Sequence, residues 1–375
     1  MEAMLALEDG TTFAGRSFGA PGERVGEVVF NTSLTGYQEI LTDPSYRGQI
    51  VAMTCPQIGN TGVNLEDMES DGPQVEALLV RQLAPMMSSW RAYQDLAQFL
   101  REHNVMALEG IDTRALTRHI RAYGAMKGIV STEDMSSESL VAKARAAPSI
   151  STRNLVAEVS CRVCSPWQEG SPRGWRDQAP RVECCHMVVY DCGVKRSIVR
   201  LLADFGCRVT VVPWNTPAGE VLALDPDGVV ISNGPGDPTQ AREVAEAARE
   251  LLGRRPLLGI CLGHQILGMA LGARTYKLRF GHHGSNQPVL DRAMGRVLIT
   301  AQNHNYAIDA ATLDEQWVEV THINLNDHTV EGMRHRQWPV FGVQFHPEAG
   351  PGPHEARSLL QDFVQLADGW RRVGC

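Results

Sequence analysis

Apolar residues follow two different periods along this chain, and the change of period marks its organisation. In the first 155 residues, short apolar runs at 3–7, 27–30, 50–54, 77–80 and 127–131 predict strands, separated by turns rich in Gly, Pro and Asn. Two helices are expected among them. Residues 93–103 place Leu96, Phe99 and Leu100 at i, i+3 and i+4, and 112–123 repeat Leu116, Ile120 and Tyr123 after Asp112, an N-cap candidate. The polar stretches 31–43 and 43–64 read either as binding loops or as well-formed turns. From residue 187, strand and helix alternate. The strand 187–190 precedes a helix marked by Ile198, Leu201, Leu202 and Phe205 and stopped at Gly206; the strand 207–212 stops at Pro213. The strand 228–231 leads into the loop SNGPGDP. There Asp237 and Pro238 offer an N-cap and an N1 proline to a helix carrying Val244, Ala248, Leu251 and Leu252. The strand 257–260 follows. After Arg274 the strands are expected to shorten (297–300, 317–320, 340–345), before a last helix with Ala356, Leu359, Leu360 and Phe363.

This βαβα order implies a doubly wound, mostly parallel sheet with right-handed crossovers, preceded by an N-terminal mixed α+β domain. Between the two, residues 160–182 carry Pro166, Gly170, Pro172, Gly174 and Pro180 with no periodicity. The expected domains are therefore 1–155, a linker at 156–186, and 187–375. In such sheets ligands sit beyond the strand C-termini. SNGPGDP and Cys261 both follow strands, so they are expected to share one crevice.

The stretch RPLLGICLGHQILGMALG (255–272) carries the chemistry. Leu257, Leu258 and Ile260 suit a strand buried on both faces, and Leu262, Ile266, Met269 and Ala270 repeat at helical spacing up to Gly272. Cys261 stands at the turn with Gly259 and Gly263 on either side. Such G-x-nucleophile-x-G turns hold a strained nucleophile against the first helical amides, and a helix start favours the nucleophilic thiolate. A buried core cysteine would show the same local pattern. A thiol nucleophile needs a base, and Gln344-Phe345-His346-Pro347-Glu348 ends the strand 340–345. Pro347 keeps the segment extended, so His346 and Glu348, two apart, project to one side. That is the cysteine form of a nucleophile–His–carboxylate triad, in which the carboxylate orients the far nitrogen. His282, His283 and His304 are rivals, read here as loop or pocket residues.

Composition narrows the class. The chain of 375 residues exceeds one ordinary core, and 43% hydrophobic with 21% charged residues describes a globular protein. A net charge of −8 without a Lys/Arg block argues against nucleic-acid or polybasic membrane partners. The N-terminus MEAMLALEDG lacks a signal-peptide core, and no run approaches a membrane helix. Nine cysteines with no secretion signal suggest reduced thiols in the cytoplasm. Cys161-x-x-Cys164 with Cys184, Cys185 and His186 has zinc-like elements, but adjacent ligands are poor zinc geometry and a thiol-rich linker is the expectation. No metal is expected in this chain.

With these residues in view, Gly259-Ile260-Cys261-Leu262-Gly263-His264-Gln265, Ser232–Pro238 and Phe345-His346-Pro347-Glu348-Ala349 resemble the class I glutamine amidotransferases. Leu34-Thr35-Gly36-Tyr37-Gln38-Glu39, Thr42-Asp43-Pro44-Ser45-Tyr46, Pro56-Gln57-Ile58-Gly59-Asn60-Thr61-Gly62 and Gly110-Ile111-Asp112-Thr113-Arg114 resemble the N-terminal domain of the small-subunit family of carbamoyl-phosphate synthetases. The resemblance implies that Cys261 attacks glutamine, that His346 moves protons, and that Glu348 orients it. It implies an oxyanion site at the amides of Gly236 and Leu262, and glutamine binding by Ser45, Gly234, Gly236, Leu262, Gln265, Asn303, Asn305 and Tyr306. Asn305 stands where the family generally has Gly, and Tyr306 where Phe is common; Asn tolerates a left-handed backbone, so the main-chain contact is expected to survive. No G-x-x-x-x-G-K-[ST] phosphate cradle occurs, so no cofactor is expected here. By resemblance, ATP, a divalent metal ion and bicarbonate chemistry belong to a large subunit that receives ammonia through a tunnel, in a heterodimer or higher assembly. The N-terminal domain is the natural docking surface, and the product would serve arginine or pyrimidine synthesis. A stand-alone cysteine hydrolase would need no N-terminal domain, and a non-catalytic regulatory subunit would not need Cys261, His346 and Glu348 together.

Overall fold

The structure, a computed structural model, describes residues 1–172 and 183–373. Its contacts form two units, Met1–Leu155 with Arg279–Gly284, and Val156–Leu278 with Ser285–Cys375.

The first unit contains β1 (Glu2–Leu7), β2 (Thr12–Ser17), β3 (Glu23–Asn31), α1 (Tyr37–Thr42), β4 (Gln49–Met53), β5 (Gln57–Ile58), β6 (Ala77–Leu79), β7 (Gln82–Leu83), α2 (Leu96–Glu102), β8 (Met106–Glu109), α3 (Thr113–Tyr123), β9 (Met126–Ser131) and α4 (Ser137–Ala146). Seven strands close a barrel in the order β1-β2-β8-β6-β4-β3-β9, with β9 returning to β1. Period-2 alternation sends Val28, Phe30, Ile50 and Ala52 to one core with Leu116 and Ile120 of α3. Val29, Val51 and Met53 go to a second core with α1 and α2. Two barrel strands escaped the sequence reading. β2 has no fully buried position and β8 is four residues long, so neither shows a clear period. The stretch 31–43, read as loop or turn, holds α1, whose N-cap is Gly36 at φ 79 with no side-chain cap, so the usual start signal is absent. Its polar residues are satisfied internally: Tyr37 donates to the Gly62 carbonyl at 2.6 Å, and the Asn64 amide donates to Gln38 Oε1 at 2.9 Å.

The second unit contains α5 (Val156–Val159), β10 (Ser165–Trp167), β11 (Cys185–Asp191), α6 (Arg196–Asp204), β12 (Cys207–Pro213), α7 (Ala218–Ala223), β13 (Gly228–Ile231), α8 (Arg242–Leu251), β14 (Leu257–Ile260), α9 (Leu262–Ala270), β15 (Thr275–Asp291), β16 (Arg296–Ile308), β17 (Val318–Asn324), β18 (Val330–His335), β19 (Val340–Val343) and α10 (Arg357–Val373). Its ten-stranded sheet runs β10-β12-β11-β13-β14-β19-β18-β17-β15-β16. The five strands β12-β11-β13-β14-β19 are mutually parallel, flanked by antiparallel pairings at β10 and from β18 onward. Along β11, Met187 and Val189 join a core with α6 and α10, while Val188 and Tyr190 join another with α7, α8 and α9. Pro172 is the last described residue of the proline-rich stretch; 173–182, including Gly174 and Pro180, lie outside the described residues.

Three sequence expectations are corrected here. Asp237 caps a short 3-10 turn, Pro238–Gln240, accepting from the Thr239 amide at 2.9 Å, and α8 begins only at Arg242. The strands after Arg274 do not shorten, since β15 and β16 run 17 and 13 residues. His282, His283 and His304 therefore stand on strands rather than loops; buried polar side chains there erase the apolar alternation that would have revealed them. Among the described residues no helix is long and apolar enough to cross a membrane.

Candidate active site

The sheet order brings the separate motifs together. β13, β14 and β19 are neighbours, and each C-terminal end leads into one motif: the glycine loop after Ile231, Cys261 after Ile260, and His346 shortly after Val343. β11, beside β13, ends at the loop that carries Lys195. Residues as far as 153 apart in sequence thus reach one rim by strand order.

Cys261 occupies the N-cap position of α9 with φ 55 and ψ −105, a conformation that costs about 1–3 kcal/mol for a residue with a side chain. The surroundings hold it there. Its amide donates to Val343 O at 2.9 Å, and its carbonyl accepts from the Gln265 amide at 3.2 Å. Behind it Ile266 and Leu267 are fully buried, each contributing about 1.5–3 kcal/mol of apolar burial. The flanking glycines are needed for close approach: a Cβ on Gly263 would stand 2.0 Å from Ile231 O, and one on Gly259 2.4 Å from Gly263 O. The thiol is 3.5 Å from Asn303 O, and Gln344 Nε2 lies 3.7 Å from it.

His346 Nδ1 lies 2.6 Å from Glu348 Oε1, with both side chains almost wholly buried. The imidazole Nε2 has no hydrogen-bond partner of good geometry. Burial alone would depress the imidazole, but the Glu348 carboxylate and the nearby Cys261 thiol outweigh it and raise its pKa to about 10. Burial would likewise raise Glu348; Lys195 and His346 hold it well below the usual carboxylate range. Lys195 Nζ donates to Glu348 Oε1 at 2.9 Å and to Gly350 O at 2.6 Å. The sequence reading did not find this lysine. Nothing in its spacing links it to residue 348, and the signal that existed was a cation, next to Arg196, just past a buried strand C-terminus. Gln344 was missed for a similar reason.

A small, narrow pocket lies beside the thiol, lined by Gly234, Gly236, Cys261, Leu262, Gln265, Asn303, His304, Asn305 and Tyr306. Gly236 takes φ 86. Gly234 must lack a side chain, because a Cβ would stand 2.1 Å from Cys192 O. Ser232 Oγ donates to Asn233 O at 2.8 Å and accepts from the Cys192 amide at 3.0 Å, while Asn233 Oδ1 accepts from the Lys195 amide at 3.1 Å. Gln265 Nε2 is already engaged, donating to Tyr306 O at 2.7 Å and Gln344 Oε1 at 3.0 Å. Asn305 does not take the left-handed backbone its family position suggests: it is an extended residue of β16, and Asn104, Asp225, Cys261, His328 and Ala349 are the non-Gly residues with positive φ among those described. Ser45 lies in the first unit, buried in the 3-10 turn Pro44–Tyr46, its amide donating to Asp43 Oδ1 at 2.8 Å. The rival histidines are differently placed. His304 has Tyr306 O at 2.8 Å from Nδ1 and Gln302 Oε1 at 3.1 Å from Nε2, and His264 is fully buried, its pKa driven down to about 3 by that burial.

Comparison with known proteins agrees with both halves. Residues 188–366 match the family model described as glutamine amidotransferase class-I, and residues 5–130 match that of the carbamoyl-phosphate synthase small chain, CPSase domain. The chain is 53% identical over 373 residues to the carbamoyl phosphate synthase small chain of Syntrophotalea carbinolica, covering 98% of each. The chain belongs to the carbamoyl phosphate synthase small-chain family. The small chain of Thermosynechococcus vestitus is 52% identical over 374 residues, with 99% of this chain and 97% of that one covered. That of Archaeoglobus fulgidus is 49% identical over 371 residues, with 99% and 100% covered. As a small chain with a class-I domain, the protein is a glutamine amidotransferase subunit of a ligase.

Proposed function

We propose that this chain is the glutaminase subunit of a glutamine-dependent carbamoyl-phosphate synthetase. L-Glutamine enters the pocket beside Cys261, held by Gly234, Gly236, Leu262, Gln265, Asn303, Asn305 and Tyr306. Cys261 stands at a nucleophile elbow at the end of the five parallel strands of a doubly wound sheet whose flanking strands are antiparallel. Its sulfur attacks the carboxamide carbon, and the amides of Gly236 and Leu262 receive the negative charge that builds on the oxygen. His346 takes the thiol proton and returns it to the departing nitrogen, so ammonia leaves and a γ-glutamyl thioester remains. Water then adds with His346 as base, and glutamate leaves with the thiol restored. Glu348 orients the imidazole and stabilises its charged form.

Ammonia passes to a large, ATP-using subunit that makes carbamoyl phosphate from bicarbonate, in a heterodimer or higher assembly in the cytoplasm. ATP and its divalent metal ion act there, and the product serves arginine or pyrimidine synthesis. The domain plan is 1–155 for docking and 187–375 for amide cleavage, and the segment 156–186 between them adds α5, β10 and the start of β11 to the second unit. The observation that carries the reading is the His346–Glu348 pair meeting Cys261 at the ends of neighbouring parallel strands, beside a pocket lined by backbone amides and amide side chains. The test is Cys261→Ser in complex with the large subunit. Glutamine-dependent synthesis should vanish while ammonia-dependent synthesis persists, because only amide cleavage needs the thiol. Loss of both activities in a folded complex would refute the division of labour.

A further inference from the structure

Three thiols converge at the end of the sheet opposite Cys261. Cys185 opens β11 and Cys207 opens β12, and these parallel strands pair in register at those two residues. The active-site rim lies at the other strand ends, roughly 20 Å away along a seven-residue strand. Adjacent cysteines within a strand project to opposite faces, which counted against this pair in the sequence; here Cys184 lies outside β11, and its sulfur stands 3.4 Å from that of Cys185. Its amide donates to Gly206 O at 2.9 Å, tying it to the turn before β12. Cys185 Sγ is 3.4 Å from Cys184 Sγ and 3.6 Å from Cys207 Sγ, and all three sulfurs lie within 4.8 Å of one another.

The zinc-like pattern noted in the sequence had the wrong members. Cys161 is drawn to Asp191, whose Oδ2 accepts from the Cys161 amide at 2.7 Å, Cys164 is exposed, and His186 Nε2 lies 2.9 Å from Thr210 Oγ1. Cys207, 22 residues downstream of Cys185, takes their place through strand pairing. Sulfurs ligating one ion at about 2.3 Å stand about 3.8–4.0 Å apart. The observed 3.4 and 3.6 Å fall a few tenths of an ångström short of that value, while a disulfide at about 2.05 Å would require the sulfurs to close well over an ångström. Cys185 and Cys207 are buried and Cys184 is half-buried, which leaves one approach from solvent.

We propose that Cys184, Cys185 and Cys207 form a three-thiolate site for a soft divalent d10 cation of the zinc class, with solvent completing the coordination on the Cys184 side. Binding breaks three S–H bonds, forms three metal–sulfur bonds and releases three protons, with no electron transfer. Thiolate donors of this softness select such ions over magnesium or calcium. The ion clamps the start of β11 to the start of β12. It stabilises the fold because the unfolded chain does not hold Cys207 beside the other two.

The test titrates the reduced, metal-stripped full-length chain with Cd²⁺ and follows the thiolate-to-cadmium charge-transfer absorption. One equivalent should bind with three-thiolate intensity, and zinc should raise the melting temperature. Cys207→Ser should lose both effects. Since a hydroxyl buried there can itself unfold the chain, Cys184→Ala at the half-buried position is the second variant, expected to weaken cadmium binding by at least about tenfold. Cys161→Ser and Cys164→Ser should bind as the wild type does. Absence of the band in the wild type would overturn the proposal. So would a band that survives Cys184→Ala at full affinity or follows Cys161 and Cys164, or a native mass two hydrogens short, marking a disulfide.

Discussion

Glu348 accepts from both His346 and Lys195, and this one carboxylate carries two separable duties. Orienting the imidazole is a catalytic duty; neutralising a buried ammonium is a structural one. His346→Asn removes the proton carrier and should cost about as much turnover as losing the nucleophile, since triad members fail as a unit. Glu348→Gln keeps an acceptor oxygen toward His346 and should cost less turnover. It also removes the carboxylate charge that faces the buried Lys195 ammonium, so it should lower unfolding free energy by about 3–5 kcal/mol. The pair of measurements is glutaminase turnover and urea unfolding on each variant. Equal loss of turnover in both would remove the orienting role from Glu348, and an unchanged unfolding midpoint in Glu348→Gln would deny the ion pair its structural weight. A His346→Asn variant that keeps most of its turnover would hand the base role to another histidine.

Strand-to-helix turns of this tightness rest on what their neighbours lack. A methyl group on Gly263 would meet the Ile231 backbone carbonyl at 2.0 Å, and backbone in the middle of a parallel sheet has nowhere to go. Gly263→Ala should therefore destabilise the second unit by more than about 3 kcal/mol and abolish glutaminase activity by displacing Cys261. Gly369 supplies the contrast. It lies inside α10 with nothing within 4 Å of an added Cβ, so Gly369→Ala should gain about 1 kcal/mol through helix propensity. Thermal melts of the two variants check the claim, and opposite signs are required. A Gly263→Ala protein that melts with the wild type would mean that the turn is looser than its contacts indicate.

The same ion-pair geometry shapes the stability of the whole molecule against pH. His346 is raised from 6.5 to about 10, so its contribution is complete below about 6.5 and is lost as pH climbs toward 10. Glu348 is depressed below its ordinary 4.5, so its contribution is complete above that value and is lost as pH falls beneath it. Stability from this site should peak between about 4.5 and 6.5, decline gradually through neutral and alkaline pH, and fall on acidification. Urea unfolding of wild type and His346→Gln at pH 6 and pH 10 isolates the alkaline part. The variant should show the smaller drop between the two; identical drops would place the imidazole charge elsewhere.

Much of this was written along the chain, because it depends on neighbours in sequence. Period and punctuation marked β11–β14 with α6 and α8, though not the six-residue α7, since each of those is decided by apolar spacing and a nearby stop. The motif around Cys261 and the pair His346–Glu348 were legible for the same reason: a turn and an i, i+2 relation are local. The sequence did not mark α1, whose start lacks a side-chain cap, nor β15 and the part of β16 beyond residue 300, whose buried polar residues hide the strand period. Ring closure of the N-terminal strands depends on β9 meeting β1, more than a hundred residues apart. Lys195 reaches Glu348 across 153 residues, and Cys207 reaches Cys185 across 22, through strand order and register alone. Such partners are chosen by which strands lie side by side. Burial then makes the choice binding, because an ammonium or a carboxylate removed from water must find its counterpart in the fold.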